Sequence, residues 1–113
     1  MPATYQFPAI RRGDTKTLGL FLLRRDIRSQ QLTRMVIDGA TIEWGLKPSG
    51  GVQAIYTDTQ GLVIDRPNAG IKLPLSADQT AAMPAGPVSF FVRVTDSDGV
   101  VTTHLTGSFL LTD

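Results

Sequence analysis

Val88-Ser89-Phe90-Phe91-Val92-Arg93-Val94-Thr95, then Asp96-Ser97-Asp98-Gly99, then Val100 through Leu111 decide the fold class. Val88, Phe90, Val92 and Val94 recur at every second residue, the period of a strand buried on one face. The four-residue link suits a tight turn, because short Asp side chains bond nearby amides and Gly takes positive φ without steric penalty. The stretch therefore predicts a long β-hairpin that supplies the last two strands.

The same period continues upstream. Ala40, Ile42, Trp44 and Leu46 alternate with polar or small residues until Pro48-Ser49-Gly50-Gly51 ends the run. In residues 16 to 23, Leu18, Leu20 and Leu22 share one face while Phe21 and Leu23 share the other, which predicts a strand covered over most of its length. Val52 to Thr57, the turn Asp58-Thr59-Gln60-Gly61 and Leu62 to Asp65 predict a second hairpin. Ile71, Leu73 and Leu75 align in another strand, with Pro74 marking an edge or an end. Ser76-Ala77-Asp78-Gln79 has the form of a capping box, and Pro84 and Gly86 limit its helix to about two turns. Residues 24 to 39 are the least decided: Ile27, Gln31 and Arg34 fit a short helix, whereas Met35-Val36-Ile37 fit a strand. They are expected to form a long loop with local structure.

Turn signals every 8 to 12 residues between short strands predict one all-β domain over residues 1–113. The expected fold is an immunoglobulin-like antiparallel β-sandwich of about seven strands with one short connecting helix. Trp44 is expected between the sheets. Nine of the ten acids are Asp, which suits turns better than helix interiors.

Composition removes several function classes. With no cysteine, thiolate metal sites and a disulfide frame are excluded, and a reducing compartment is the natural setting. The start, Met1-Pro2-Ala3-Thr4-Tyr5, has neither a charged region nor a following apolar run, and no apolar stretch reaches membrane-spanning length. A soluble chain without a membrane partner is expected. The net charge is only +1, but residues 11 to 34 hold seven bases (Arg11, Arg12, Lys16, Arg24, Arg25, Arg28, Arg34) against Asp14 and Asp26, while residues 35 to 113 hold four bases against eight acids. That asymmetry suits either complementary docking surfaces or an ordinary mixed surface after folding.

Phe7-Pro8-Ala9-Ile10-Arg11-Arg12-Gly13-Asp14-Thr15, Asp38-Gly39-Ala40-Thr41-Ile42-Glu43-Trp44, Leu75 to Gly86, and a strand-turn-strand ending Leu105-Thr106-Gly107-Ser108-Phe109 follow one another over most of the chain. As an ordered set they resemble small immunoglobulin-like structural proteins of tailed bacteriophages, and are similar to the N-terminal domain of upper baseplate proteins. The resemblance implies a non-enzymatic virion component of the tail, baseplate or another external position, made in the host cytoplasm. It implies protein-protein assembly with other phage structural proteins, in multiple copies on a symmetric particle, and no cofactor. Compared with the longer relatives, one domain without a receptor-binding or fibre segment is expected here, and the basic loop 24–34 lies outside the motifs that carry the resemblance. Alternatives are a carbohydrate-binding β-sandwich module and a capsid decoration or head-tail connector protein.

Catalytic readings find little. His104, the single histidine, falls in a Thr-rich strand without a nucleophile turn. Asp96-Ser97-Asp98-Gly99 opens like a calcium loop but lacks the closing glutamate. Nucleic acid is not favoured, because the basic segment has no interleaved aromatic beyond Phe21, and Arg24 and Arg25 point to opposite faces of a strand.

Three interface candidates remain. Residues 1–10 form a possible docking arm, with Tyr5, Phe7 and Ile10 apolar and Pro2 and Pro8 limiting self-pairing; the same residues suit a first strand that completes the sandwich. Phe91 lies on a face shared with Ser89, Arg93 and Thr95 and is either an anchor or a single exposed apolar residue. The basic loop carrying Arg24, Arg25, Arg28 and Arg34 suits an acidic patch on a neighbour.

Overall fold

A computed structural model describes residues 3–25, 28–29 and 31–113, with backbone alone at residues 3, 24 and 25. Along the chain the elements are β1 (Ala3–Gln6), β2 (Ile10–Arg11), β3 (Lys16–Phe21), β4 (Leu23–Arg25), β5 (Leu32–Arg34), β6 (Thr41–Pro48), β7 (Ala54–Tyr56), β8 (Val63–Asp65), β9 (Gly70–Leu75), α1 (Ala77–Ala82), β10 (Gly86–Thr95) and β11 (Val101–Thr112). They form an all-β sandwich. One sheet has the order β1-β11-β10-β6-β7, with β2 also on β11; the second has the order β3-β9-β8; β4 and β5 make a separate ribbon. β6, β10 and β11 against β3, β9 and β8 follow the strand order of an immunoglobulin-like sandwich. Strand segments outnumber the expected seven because Pro8 and Leu22 interrupt longer paths and the 24–39 stretch adds a hairpin.

The alternating positions of β6, β9 and β10 face inward as their period demands. Ile42, Trp44, Leu46, Ile71, Leu73, Leu75, Val88, Phe90, Val92 and Val94 are all buried. Trp44 lies at the centre, with the Phe7 ring stacked 6.2 Å away and the Phe90 ring at 5.7 Å. A buried side chain of this size contributes roughly 1.5–3 kcal/mol of transfer free energy, so this aromatic trio is a main stabilising unit of the core.

The closing hairpin forms as read. Asp96 Oδ1 accepts from the amides of Asp98 and Val100 at 2.9 Å each, and Gly99 sits at φ 85°. That carboxylate oxygen is satisfied by the turn itself. The capping box is also present: Ser76 Oγ accepts from the Gln79 amide at 3.1 Å, and the Ser76 amide donates to Gln79 Oε1 at 2.7 Å. Thr80, fully buried on α1, donates to the Asp14 carbonyl at 2.8 Å and accepts from the Gly13 amide at 3.0 Å, which fastens the β2–β3 turn to the helix.

Four expectations need correction. The sandwich is not wholly antiparallel: β1 and β2 run parallel to β11, from Ala3 opposite Leu105 to Ile10 opposite Leu111. Side-chain alternation is the same in both directions, so periodicity carried no sign of this. Residues 52 to 65 are not a hairpin, because β7 pairs with β6 in one sheet and β8 with β9 in the other. A turn of 3₁₀ helix at Asp58–Gln60, with Gly61 at φ 98°, swings the chain across while Leu62 enters the core. In β3, Phe21 is 55% exposed, and Leu23 just beyond it is also exposed, so their face is not covered. Finally, residues 24–39 contain neither a helix nor a strand over 35–37 among the described residues; β4 pairs antiparallel with β5, and Ile37 drops into the core. Ile27 lies outside the described residues. Arg66 holds the segment after β5 by donating to the carbonyls of Ile37 (2.6 Å) and Ala40 (3.0 Å).

Candidate docking surface

The outer face of the three-stranded sheet carries an open groove of about 690 Å³. Its floor is backbone at Gly19 and Gly70, residues without side chains on the outward side of β3 and β9. Phe21, Arg34, Val63, Asp65, Asn68 and Lys72 supply side chains to its lining. Phe21 leans over Gly70, where an added Cβ would come within 3.3 Å of the ring.

Electrostatics order this groove. The Arg34 guanidinium lies over the Phe21 ring at 4.3 Å and donates to Asn68 Oδ1 at 3.3 Å, and Asn68 Nδ2 donates to Asp65 Oδ2 at 2.8 Å. A cation over an aromatic face contributes about 0.5–1 kcal/mol at an exposed site, a few-fold bias toward this pairing. Phe21 and Val63 in the groove are exposed, as are Leu23 and Leu32 on the β4–β5 ribbon that carries Arg34. Clustered exposed apolar residues with a polar rim are the usual mark of a surface that binds another protein.

The candidate residues fall in different places. Arg34 belongs to the groove, and Arg24 and Arg25 lie on β4, the strand paired with Arg34's own. Arg28 is exposed in the turn between β4 and β5. Phe7 and Ile10 are buried core residues, so of the three apolar candidates Tyr5, Phe7 and Ile10 it is Tyr5, 47% exposed and edge-on to Phe7 at 4.8 Å, that remains available to a partner. The segment is thus a strand path that completes the first sheet; Met1 and Pro2 lie outside the described residues. Phe91 is half-buried: its ring covers Gly45 on β6, where a Cβ would overlap it, and the Arg93 guanidinium stacks 4.7 Å from its centroid. Tyr5 and Phe91 belong to the first sheet and do not join the groove.

Sequence reasoning missed the groove. Alternation alone places Phe21 on a covered face, and nothing local in the sequence marks Asp65, Asn68 or Lys72. The local signal was present, a glycine two residues before an exposed-face phenylalanine. The pairing of Gly70 with Phe21 is a long-range register that periodicity does not specify.

The remaining chemistry is sparse. His104 is the extra residue at an irregularity in the β10–β11 ladder, where Val92 faces Leu105 and Arg93 faces Thr103. Partial burial lowers its pKa from the ordinary 6.5. Among the described residues no three His, Asp or Glu side chains gather to hold a metal ion. Arg12, from the basic segment, bonds the carbonyls of Ala81 and Met83 and pairs with Asp113 at 2.7 Å, so part of the charge asymmetry is satisfied within the chain. No protein-family model and no curated protein matches the chain.

Proposed function

We propose that this chain is a non-enzymatic structural protein of a tailed-phage virion, a tail, baseplate or other external component, that joins structural proteins through the groove side of its second sheet. The observation that carries the docking role is a glycine-floored groove lined by the exposed side chains of Phe21 and Val63 together with Arg34 and Lys72, adjoined through Arg34 by the β4–β5 ribbon on which Leu23 and Leu32 are also exposed. The virion setting is supported by the ordered sequence motifs from Phe7 to Phe109 and by a sandwich fold of the kind they imply.

The test is incorporation. Purified particles should contain the chain by mass spectrometry, and a Phe21→Ser, Leu32→Ser variant that keeps its β-type circular dichroism should be depleted from them. Absence of the wild-type chain from particles would refute the virion role; equal incorporation of the variant would refute the groove. The carbohydrate alternative fits less well, since Trp44 is buried and Arg34 occupies a face of Phe21. The isolated domain is expected to give no signal on a glycan array.

A further inference from the structure

We infer that the free edge of β3 is a strand-addition site for an extended acidic segment of a neighbouring protein. This deepens the docking reading above and rests on it. β3 ends its sheet, with β9 on one side only. The Leu22 amide donates to the Ala69 carbonyl at 2.8 Å, so Leu22 faces β9; by alternation Leu20, Leu18 and Lys16 do too. The N–H and C=O groups of Thr17, Gly19 and Phe21 therefore point the other way. Pro74 agrees with this phase: it stands opposite Thr17, a pair in which no amide is needed. Among the described residues no backbone bond from outside the ladder reaches these three, and all three are exposed.

Natural sheets blunt such edges with short strands, proline, bulges or inward charges. β7 and β8 are three residues each, and β1 is followed closely by Pro8. β3 has six residues, no proline and a regular ladder. At Gly19 an added Cβ would meet nothing nearer than 3.8 Å, so the backbone is open from the outer face as well.

Charge selects the occupant. Between Asp14 and Asp26 the β3–β4 path carries Lys16, Arg24 and Arg25 and no acid, and Lys72 stands opposite Gly19 on the outer face. A second copy paired antiparallel about Gly19 would set its Lys72 in line with this chain's Lys72 across the two glycines, like against like. An added strand with carboxylates on its outer face meets Lys72, while apolar residues on its inner face extend the layer of Leu18 and Leu20.

The probe is a blocked seven-residue peptide alternating valine with glutamate, compared with its lysine counterpart and with a form N-methylated at every amide. By NMR the glutamate peptide should shift the amides of Thr17, Gly19 and Phe21 and protect them from exchange. It should bind roughly tenfold tighter than the lysine peptide at low salt, the sum of a few exposed ion pairs. N-methylation should abolish binding, as should Gly19→Pro or, where that variant does not fold, Thr17→Pro, because each removes only an edge-facing amide. Equal binding of the N-methylated peptide, shifts confined to other strands, or self-association that protects these amides without peptide would each overturn the inference. If Phe21→Ser, Leu32→Ser loses particle incorporation while Gly19→Pro retains it, strand addition fails and the docking reading stands.

Discussion

Gly45→Ala measures how tightly the first sheet's outer face is built. The Phe91 ring rests on Gly45 and carries Arg93 on top, so a new Cβ must drive the ring toward solvent. The half-buried ring then forfeits about half of a phenylalanine's transfer free energy, about 1–1.5 kcal/mol. It also loses about 0.5–1 kcal/mol of stacking with Arg93. Alanine recovers about 0.5–1 kcal/mol over glycine in a strand interior. The net loss is about 1 kcal/mol. In a Phe91→Ala background the space is empty, and Gly45→Ala should stabilise by about 0.5–1 kcal/mol. Urea denaturation of all four proteins therefore yields a coupling of about 1.5–2 kcal/mol with the sign of Gly45→Ala reversed between backgrounds. The same effect in both backgrounds, within about 0.4 kcal/mol, would refute the account of Phe91 as a lid on Gly45.

Three further outcomes follow from particular contacts. Thr80→Val keeps the volume but strips the Gly13 amide and Asp14 carbonyl of their partner, so it should lower stability by about 1–3 kcal/mol while Thr80→Ser recovers most of that by thermal melting. Trp44 Nε1 is buried with no hydrogen-bond partner among the described residues; Trp44→Phe should therefore be mild, under about 1.5 kcal/mol, against about 3–5 for Trp44→Ala, and similar losses would contradict the unpaired indole. Burial of His104 favours its neutral form, so its contribution is complete above pH 6.5 and declines as pH falls through the lowered folded-state pKa. Urea midpoints between pH 7.5 and 5 should drop further for the wild type than for His104→Gln, and parallel curves would show that His104 is not desolvated.

Much of the sandwich was legible because one-sided burial writes a two-residue period into β6, β9 and β10, and because capping and turn residues act locally. Ser76 with Gln79 and Asp96 with Gly99 needed no distant partner. What escaped was pairing. Whether residues 58–61 return a strand to its neighbour or pass it to the opposite sheet depends on contacts remote in sequence, and the direction of β1 leaves no trace in alternation. Phe7 and Ile10 suit a docking arm and a completing strand equally, because apolar character has the same spelling whether it meets this chain's Trp44 or a partner. Of the groove, Arg34 alone was singled out. Its companions Asp65 and Asn68 are ordinary turn residues until β8 and the 3₁₀ turn at Arg66–Asn68 carry them beside β5.

The parallel seating of β1 and β2 on β11 has a kinetic side. Tyr5 lies across from Gly107, where a Cβ would overlap the Tyr5 carbonyl, and Ile10 lies across from Leu111. During synthesis β1 thus waits for residues 105 to 112 before its own partner emerges. Closing so long a loop is slow and entropically demanding. Until then the apolar side chains of Phe7 and Ile10 stand exposed on the nascent chain, an opening for chaperones and for misassembly alike.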